Sequence, residues 1–259
     1  MRIEKKEETF DQRIAEMGIR IKDADTFKVS ENVFDEVTLL ALYKLVHKKW
    51  LSAIGGSIST GKEANVFLGD LGDTAVAIKI YRIQSANFTT MSSYILGDRR
   101  FANVKKSRKE LVFAWTKKEY SNLARAKEAG LPVPEPLVFD RNILVMSFLG
   151  EDERPYPQLR YVDLDDPALV YESVVSMIDT LYKGAELVHG DLSEFNILYH
   201  DQPYLIDMGQ SVTRDHPRAL QFLMRDIRNV NRFFAKKGCE IKTEYEIFNA
   251  VTGLSVSQP

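Results

Sequence analysis

The stretch Val188-His189-Gly190-Asp191-Leu192-Ser193-Glu194-Phe195-Asn196, followed by Tyr204-Leu205-Ile206-Asp207, decides how this chain is read. It joins H-x-D-x-x-x-x-N to an apolar strand ending in aspartate, the arrangement that phosphoryl transfer uses around a nucleotide's terminal phosphate. Asp191 can accept or orient the proton of an attacking hydroxyl or water, while Asn196 offers Mg2+ a neutral oxygen and Asp207 an anionic one. Asn196 stands five residues after Asp191, a separation that wraps a loop back toward the same phosphate. Asp191 and Asp207 are therefore the candidate catalytic residues, and Asn196 and Asp207 the candidate metal ligands.

Working outward, Ala64–Gly69 and Thr74–Tyr81 read as strands joined by a Gly72-Asp73 turn. The second carries Val76-Ala77-Ile78-Lys79, so Lys79 is positioned to pair with α- and β-phosphates. A helix expected from Lys109 to Ala129, closed by Gly130, sets Glu119 on a stripe with Leu111, Trp115, Asn122 and Ala126. There it can hold Lys79 as a buried ion-pair partner. Gly56-Ser57-Ile58-Ser59-Thr60-Gly61-Lys62 reads as a flexible turn whose backbone N–H groups fold over phosphates, with Ser57 and Lys62 as contacts. Each signal alone is weak: H-x-D occurs in ordinary turns, a lysine ending a strand is usually a solvated edge charge, and a glutamate on a charged helix is usually on the surface. Their common order and spacing carry the reading. The glycine turn also matches a Walker A motif until its last position, where Glu63 replaces Ser or Thr. A carboxylate there repels phosphate, and the following Ala64–Leu68 reads as strand rather than helix, which argues against a P-loop fold.

With 259 residues, 44% of them hydrophobic and 28% charged, the chain can build one two-lobed unit or two small domains. A formal charge of −2 gives no whole-molecule argument for nucleic acid or membrane. Cys239, the only cysteine, excludes an internal disulfide framework and a cysteine-ligated zinc site. The charged start Met1–Glu8 has no signal-type apolar core behind it, and no run reaches the roughly 18–20 apolar residues of a membrane span, so a soluble cytoplasmic protein is expected. The expected organisation is an N-terminal arm over 1–32, a β-rich lobe over 33–149 containing a flexible basic loop at 84–108, and a helical lobe over 150–259. A helix is expected from Val33 to Trp50, ended by Gly55-Gly56. Pro132, Pro134 and Pro136 impose extended chain, and Asn142–Gly150 reads as a buried strand running into a break at the lobe boundary. Asp166-Pro167 starts a helix. Another, Pro217–Lys237, is expected to turn Leu220, Leu223, Ile227, Val230 and Phe234 inward and Arg218, Arg225, Arg228, Arg232 and Lys236 outward.

Ser59-Thr60-Gly61-Lys62-Glu63-Ala64-Asn65-Val66, His189 through Leu198, and Ile206-Asp207-Met208-Gly209-Gln210-Ser211-Val212 together resemble the RIO atypical serine/threonine protein kinases, in the branch that carries STGKEA. The likeness runs from about Val33 to Phe234 and includes Val145-Met146-Ser147-Phe148 and Asp215-His216-Pro217. It implies an α+β, two-lobed protein-kinase-like fold with an extra N-terminal helix and a reduced helical C-lobe. It further implies ATP with Mg2+ or Mn2+, adenine contacts from Met146, Ser147 and Leu149, serine autophosphorylation, ATPase activity and transient phosphorylation of Asp207. The implied setting is maturation of the small ribosomal subunit, with the pre-ribosomal particle and its rRNA as partners and the chain a monomer or weak oligomer. Ordinary protein kinases differ at two points. Gly190 stands where they carry the arginine of H-R-D, and the roughly fifty residues after Asp207 show no A-P-E segment, so generic peptide docking is not expected.

Two other function classes share part of this pattern. A nucleotide-gated assembly factor would meet rRNA phosphates through Arg225, Arg228, Arg232 and the basic loop around Arg99–Lys109, although a solvated helix face explains those charges equally well. A small-molecule phosphotransferase of the aminoglycoside or choline type shares H-x-D-x-x-x-x-N, but not the STGKEA turn. Ser85, Ser92, Ser93 and Ser107 are the candidate autophosphorylation sites.

Overall fold

A computed structural model describes residues 20–21, 34–84, 88–104 and 107–256. Nearly all of the expected arm, together with Val33, Ser85, Lys105 and Lys106, lies outside the described residues. The chain divides into two compact units, residues 1–88, 105–120 and 136–155 in the first and 89–104, 121–135 and 156–259 in the second.

In chain order the first elements are β1 (Arg20–Ile21), α1 (Glu36–His47), β2 (Ala53–Thr60), β3 (Ala64–Leu71), β4 (Thr74–Tyr81), α2 (Phe88–Ile95) and α3 (Arg108–Glu128). Next come β5 (Pro136–Asp140), β6 (Ile143–Ser147), β7 (Gly150–Glu151) and β8 (Arg154–Pro155). The remainder is α4 (Pro167–Lys183), β9 (Leu187–Val188), β10 (Ile197–His200), β11 (Gln202–Leu205), β12 (Val212–Thr213), α5 (Ala219–Lys236) and α6 (Glu244–Thr252).

The first unit is built on a sheet of order β1-β2-β3-β4-β6-β5, antiparallel except for the β1–β2 pair. Side chains alternate across a strand, so Val76, Ile78 and Ile80 of β4 enter a core with Leu39, Leu42 and Leu45 of α1, while Ala77, Lys79 and Tyr81 turn to the other face. Asp35 caps α1 by accepting from the Thr38 N–H at 2.9 Å. The expected stop at Gly55-Gly56 is corrected: the helix ends at His47, and both glycines lie inside β2. Lys49 closes the helix instead, with φ of 61° and with the N–H groups of Lys48, Lys49 and Trp50 bonding back to the last turn. The glycine turn is shorter than expected, because Ser57 belongs to β2 and only Gly61–Glu63 separate β2 from β3. The Gly61 N–H donates to the Ala64 carbonyl at 2.9 Å, and a Cβ on Gly61 would stand 2.9 Å from that same oxygen, so this turn requires glycine.

In the second unit α4, α5 and α6 pack on one another, with Val174, Ile178, Ile227, Phe234 and Phe248 buried and the Tyr171 and Phe234 rings 5.4 Å apart between α4 and α5. Asp166 and Pro167 start α4 as expected, the Asp166 side chain accepting from the Leu169 N–H at 3.0 Å. Buried Asn231 links the helices: its Oδ1 accepts from the Tyr171 hydroxyl at 3.0 Å and its Nδ2 donates to the Lys242 carbonyl at 2.9 Å. Two corrections belong here. The expected loop at 84–108 contains α2 and a 3-10 turn at Arg99–Phe101, ordered by burial of Met91, Tyr94, Ile95 and Phe101 rather than by helix propensity. On α5, Leu220 is 41% exposed, and Phe222 and Asp226 occupy the inward stripe instead.

Candidate active site

In the first unit, Lys79 sits mid-sheet opposite Val66 of β3 and Leu144 of β6. Its Nζ meets Glu119 Oε1 at 2.7 Å, with Lys79 8% and Glu119 1% exposed, so this is a buried ion pair rather than a solvated edge charge. The ammonium also lies 5.2 Å from the centroid of the Tyr81 ring. Met146 pairs with Ala77 and so shares the face of Lys79, Ser147 pairs with Val76 at the strand's end, and Leu149 follows beyond it. All three are half-buried. Ser57 sits where the β2–β3 register slips on both sides of it, and its Oγ is buried with no hydrogen-bond partner among the described residues. Lys62 is exposed in the turn that follows the strand holding Ser57.

In the second unit the β10–β11 hairpin does the positioning. Ile197 pairs with Leu205, and just beyond that pair the Ile206 N–H donates to the Asn196 carbonyl at 3.0 Å, which brings Asn196 beside the residue preceding Asp207. Asn196 Nδ2 donates to the Asp191 carbonyl at 2.8 Å and to its Oδ2 at 3.3 Å, leaving the amide oxygen for a cation. Gln210 Nε2 donates to the same Oδ2 at 3.1 Å. Burial raises the Asp191 carboxyl above its ordinary range, and the nearby negative charge of Asp207 raises it further, against the pull of Arg225 and of the Asn196 bond. Both changes strengthen Asp191 as a base. Asp207 itself has a φ of 60°, a left-handed conformation that costs a non-glycine residue about 1–3 kcal/mol and persists only when its surroundings fix it. Those surroundings are His189, whose Nε2 donates to the Ile206 carbonyl at 3.1 Å, and Asn122, whose Nδ2 donates to the Met208 and Ser211 carbonyls at 2.8 Å each.

Three functional side chains escape the sequence reading. Asp226 on α5, 1% exposed, accepts from the Gly190 N–H at 2.7 Å and the Leu192 N–H at 2.9 Å, clasping the backbone on either side of Asp191. Arg225 is exposed on the outer side of α5 as expected, yet its guanidinium donates to the Gly190 carbonyl and to the Tyr94 hydroxyl, the latter at 3.3 Å. Asn229 Nδ2 donates to the Leu192 carbonyl at 3.1 Å. The available signal for Asp226 was an acid embedded in the inward stripe Phe222-Leu223-x-x-Asp226-Ile227-x-x-Val230.

The donor set suits a hard cation. Asp191 and Asp207 crowd negative charge, and Asn196 adds a neutral oxygen, so the group is oxygen-only and open, as Mg2+ prefers when it keeps waters and phosphate oxygens as further ligands. Among the described residues no group of three or more His, Cys, Asp or Glu side chains forms a closed metal site.

The sequence pattern of the RIO domain matches residues 65–247. The chain belongs to the RIO family of atypical serine/threonine kinases. It is 45% identical over 245 residues to the RIO-type serine/threonine-protein kinase Rio1 of Haloferax volcanii, an alignment covering 94% of this chain and 84% of that protein. It is 40% identical over 252 residues to the human serine/threonine-protein kinase RIO1, spanning 95% of this chain but 44% of that longer protein. Among solved structures, the ADP/Mg2+-phosphoaspartate complex of Rio2 kinase from Chaetomium thermophilum superposes with a TM-score of 0.69 at 28% identity, covering 84% of this chain and 66% of that one. The fold of this RIO kinase is thus the expected two-lobed, kinase-like α+β fold. Among its described residues no helix is long and apolar enough to cross a membrane.

Proposed function

We propose that this RIO kinase transfers the γ-phosphate of Mg·ATP to a serine or threonine hydroxyl, and to water when no acceptor is seated. The observation that carries the proposal is the grouping of Asp191, Asn196 and Asp207 on two loops tied together by the β10–β11 hairpin. Asp191 takes the proton of the attacking hydroxyl, whose oxygen bonds to the γ-phosphorus as the bond to the β-phosphate oxygen breaks and ADP leaves. Mg2+, held by Asn196 and Asp207, would neutralise charge on the β- and γ-phosphates. Lys79, steadied by Glu119, engages the α- and β-phosphates, Ser57 and Lys62 add contacts from the glycine-rich strand and turn, and Met146, Ser147 and Leu149 receive the adenine.

The phosphoaspartate in the Rio2 complex supports a hydrolytic branch in which an Asp207 oxygen takes the phosphate from ATP and water then releases it. Ser92, Ser93 and Ser107 are the proposed autophosphorylation sites within the described residues, and Ser85 lies outside them. The family likeness implies work in small-subunit maturation in the cytoplasm. Incubation with γ-labelled ATP and Mg2+, separating label on protein from free phosphate, tests the chemistry. Wild-type chain yields both products, and Asp191→Ala and Asp207→Ala each lower turnover at least about 100-fold. Undiminished turnover in Asp207→Ala would remove the metal-ligand and phosphate-acceptor roles.

A further inference from the structure

The outward face of α5 carries four arginines at positions 218, 225, 228 and 232. At 100° per residue they fall within an arc of roughly 80°, over about 21 Å of helix. They line a pocket of about 250 Å3 together with Asn229 and Phe222. A neighbouring hollow of about 600 Å3 shares Arg228 and Arg232 and continues to Lys242 and Glu244 at the start of α6. One end of this basic groove abuts the catalytic loop, since Arg225 bonds the Gly190 carbonyl and Asn229 the Leu192 carbonyl, on either side of Asp191. The groove already seats a carboxylate: Glu244 Oε2 lies 2.6 Å from Arg228 Nε. Arg218 and Arg232 are exposed and make no ion pair among the described residues.

We propose that this groove is the acceptor-docking site, recognising glutamate and aspartate side chains of the substrate polypeptide beside its phosphorylated serine or threonine. The inference deepens the kinase reading and rests on it for the identity of the acceptor. Charge complementarity selects an acidic ligand, and the contact of Glu244 with Arg228 shows that a carboxylate fits against this face. Proximity to Asp191 favours the acceptor polypeptide over nucleic acid. So does the pocket's aromatic residue: Phe222 is 1% exposed beneath the Arg218 and Arg225 guanidinium groups, so its ring is not available to stack a base. From Arg225 it is about 4.5 Å along the helix to Arg228 and about 10 Å to Arg232, the span of about one to three extended residues, so the groove reads acids within about three positions of the acceptor.

Fluorescence anisotropy of the full chain tests this with a labelled peptide carrying one serine flanked by glutamates, the same peptide with alanines or with lysines, and labelled oligouridylate. Wild type is expected to bind the glutamate peptide at least about tenfold tighter than the alanine peptide, with the preference shrinking as salt rises. Arg228→Ala/Arg232→Ala abolishes the preference while ATP turnover without peptide stays at the wild-type level, and Glu244→Gln, which releases Arg228, tightens the glutamate peptide about two- to fivefold. Equal binding of glutamate and alanine peptides, a preference that survives the double substitution, or tighter binding of oligouridylate than of the glutamate peptide that is lost in the double variant would each overturn the proposal. Selective binding by a chain that turns over no ATP would uphold the groove and overturn the kinase reading instead.

Discussion

Gly190 explains at residue scale why the arginine of H-R-D is missing. It has a φ of 77°, and a Cβ there would come within 3.0 Å of the Gln210 carbonyl oxygen, so the loop before Asp191 is shaped for glycine. The Lys79–Glu119 pair separates stability from chemistry. Removing one partner of a buried pair strands the other and costs about 3–5 kcal/mol, whereas replacing both with apolar residues is often near neutral. Glu119→Met should therefore lower both the urea midpoint and turnover, and Lys79→Met/Glu119→Met should recover the midpoint while remaining inactive. Recovery of turnover in the double variant would contradict the phosphate role of Lys79. His189 gives a pH prediction, since burial pushes its imidazole down to about 4. The unfolded chain takes up that proton near 6.5 and the folded chain only near 4, so stability is intact above 6.5 and falls as the pH drops between those values. Asp226, raised by burial to about 7, acts with the opposite sign, the folded chain holding its proton more tightly than the unfolded chain between about 4 and 7. His189→Gln should isolate the first effect, losing about 2 kcal/mol less than wild type in urea unfolding between pH 7.5 and pH 5. An unchanged pH profile would mean that His189 does not stay neutral in the folded chain.

Helix α5 anchors the loop around Asp191 through Asp226, which accepts from its N–H groups, while Arg225 and Asn229 bind its carbonyls. In Asp226→Asn the side-chain amide keeps one acceptor and turns a donor toward a backbone donor, so one buried N–H loses its partner. Unfolding free energy should fall by about 1–3 kcal/mol, and kcat should fall while the KM for ATP changes little, because the loop loses its geometry while the Lys79–Glu119 pair is untouched. Wild-type kcat with reduced stability would make Asp226 purely structural. The strands around Lys79 were legible because β-branched alternation and the Gly72 turn have only one reading. The inward face of α5 was legible only in part. Leu220 shares the spacing of the apolar stripe but is exposed, whereas Asp226 is buried because backbone N–H groups from a distant loop need its oxygens. Helix α2 was hidden for a similar reason: Tyr94 stacks on Phe222 at 5.0 Å, a partner more than a hundred residues away that no local propensity encodes.

For the whole molecule, the pairing of Lys79 with Glu119 and the grouping of Asp191, Asn196 and Asp207 were legible because these residue types stand in an order that chance rarely produces. The left-handed Asp207 and the clasp by Asp226 were not, because each depends on contacts between segments remote in sequence, and the slipped register at Ser57 was not, because β-branched alternation does not encode a bulge. Everything proposed for the chemistry depends on Asn196 and Asp207 holding Mg2+ against ATP beside the Asp191 base. Calorimetric titration of ATP into wild type and Asp207→Asn, with and without Mg2+, tests it most directly. Mg2+ should tighten ATP binding to wild type and have little effect on a folded Asp207→Asn chain. ATP affinity that ignores Mg2+ in wild type, or an Mg2+ effect of equal size in the variant, would contradict it.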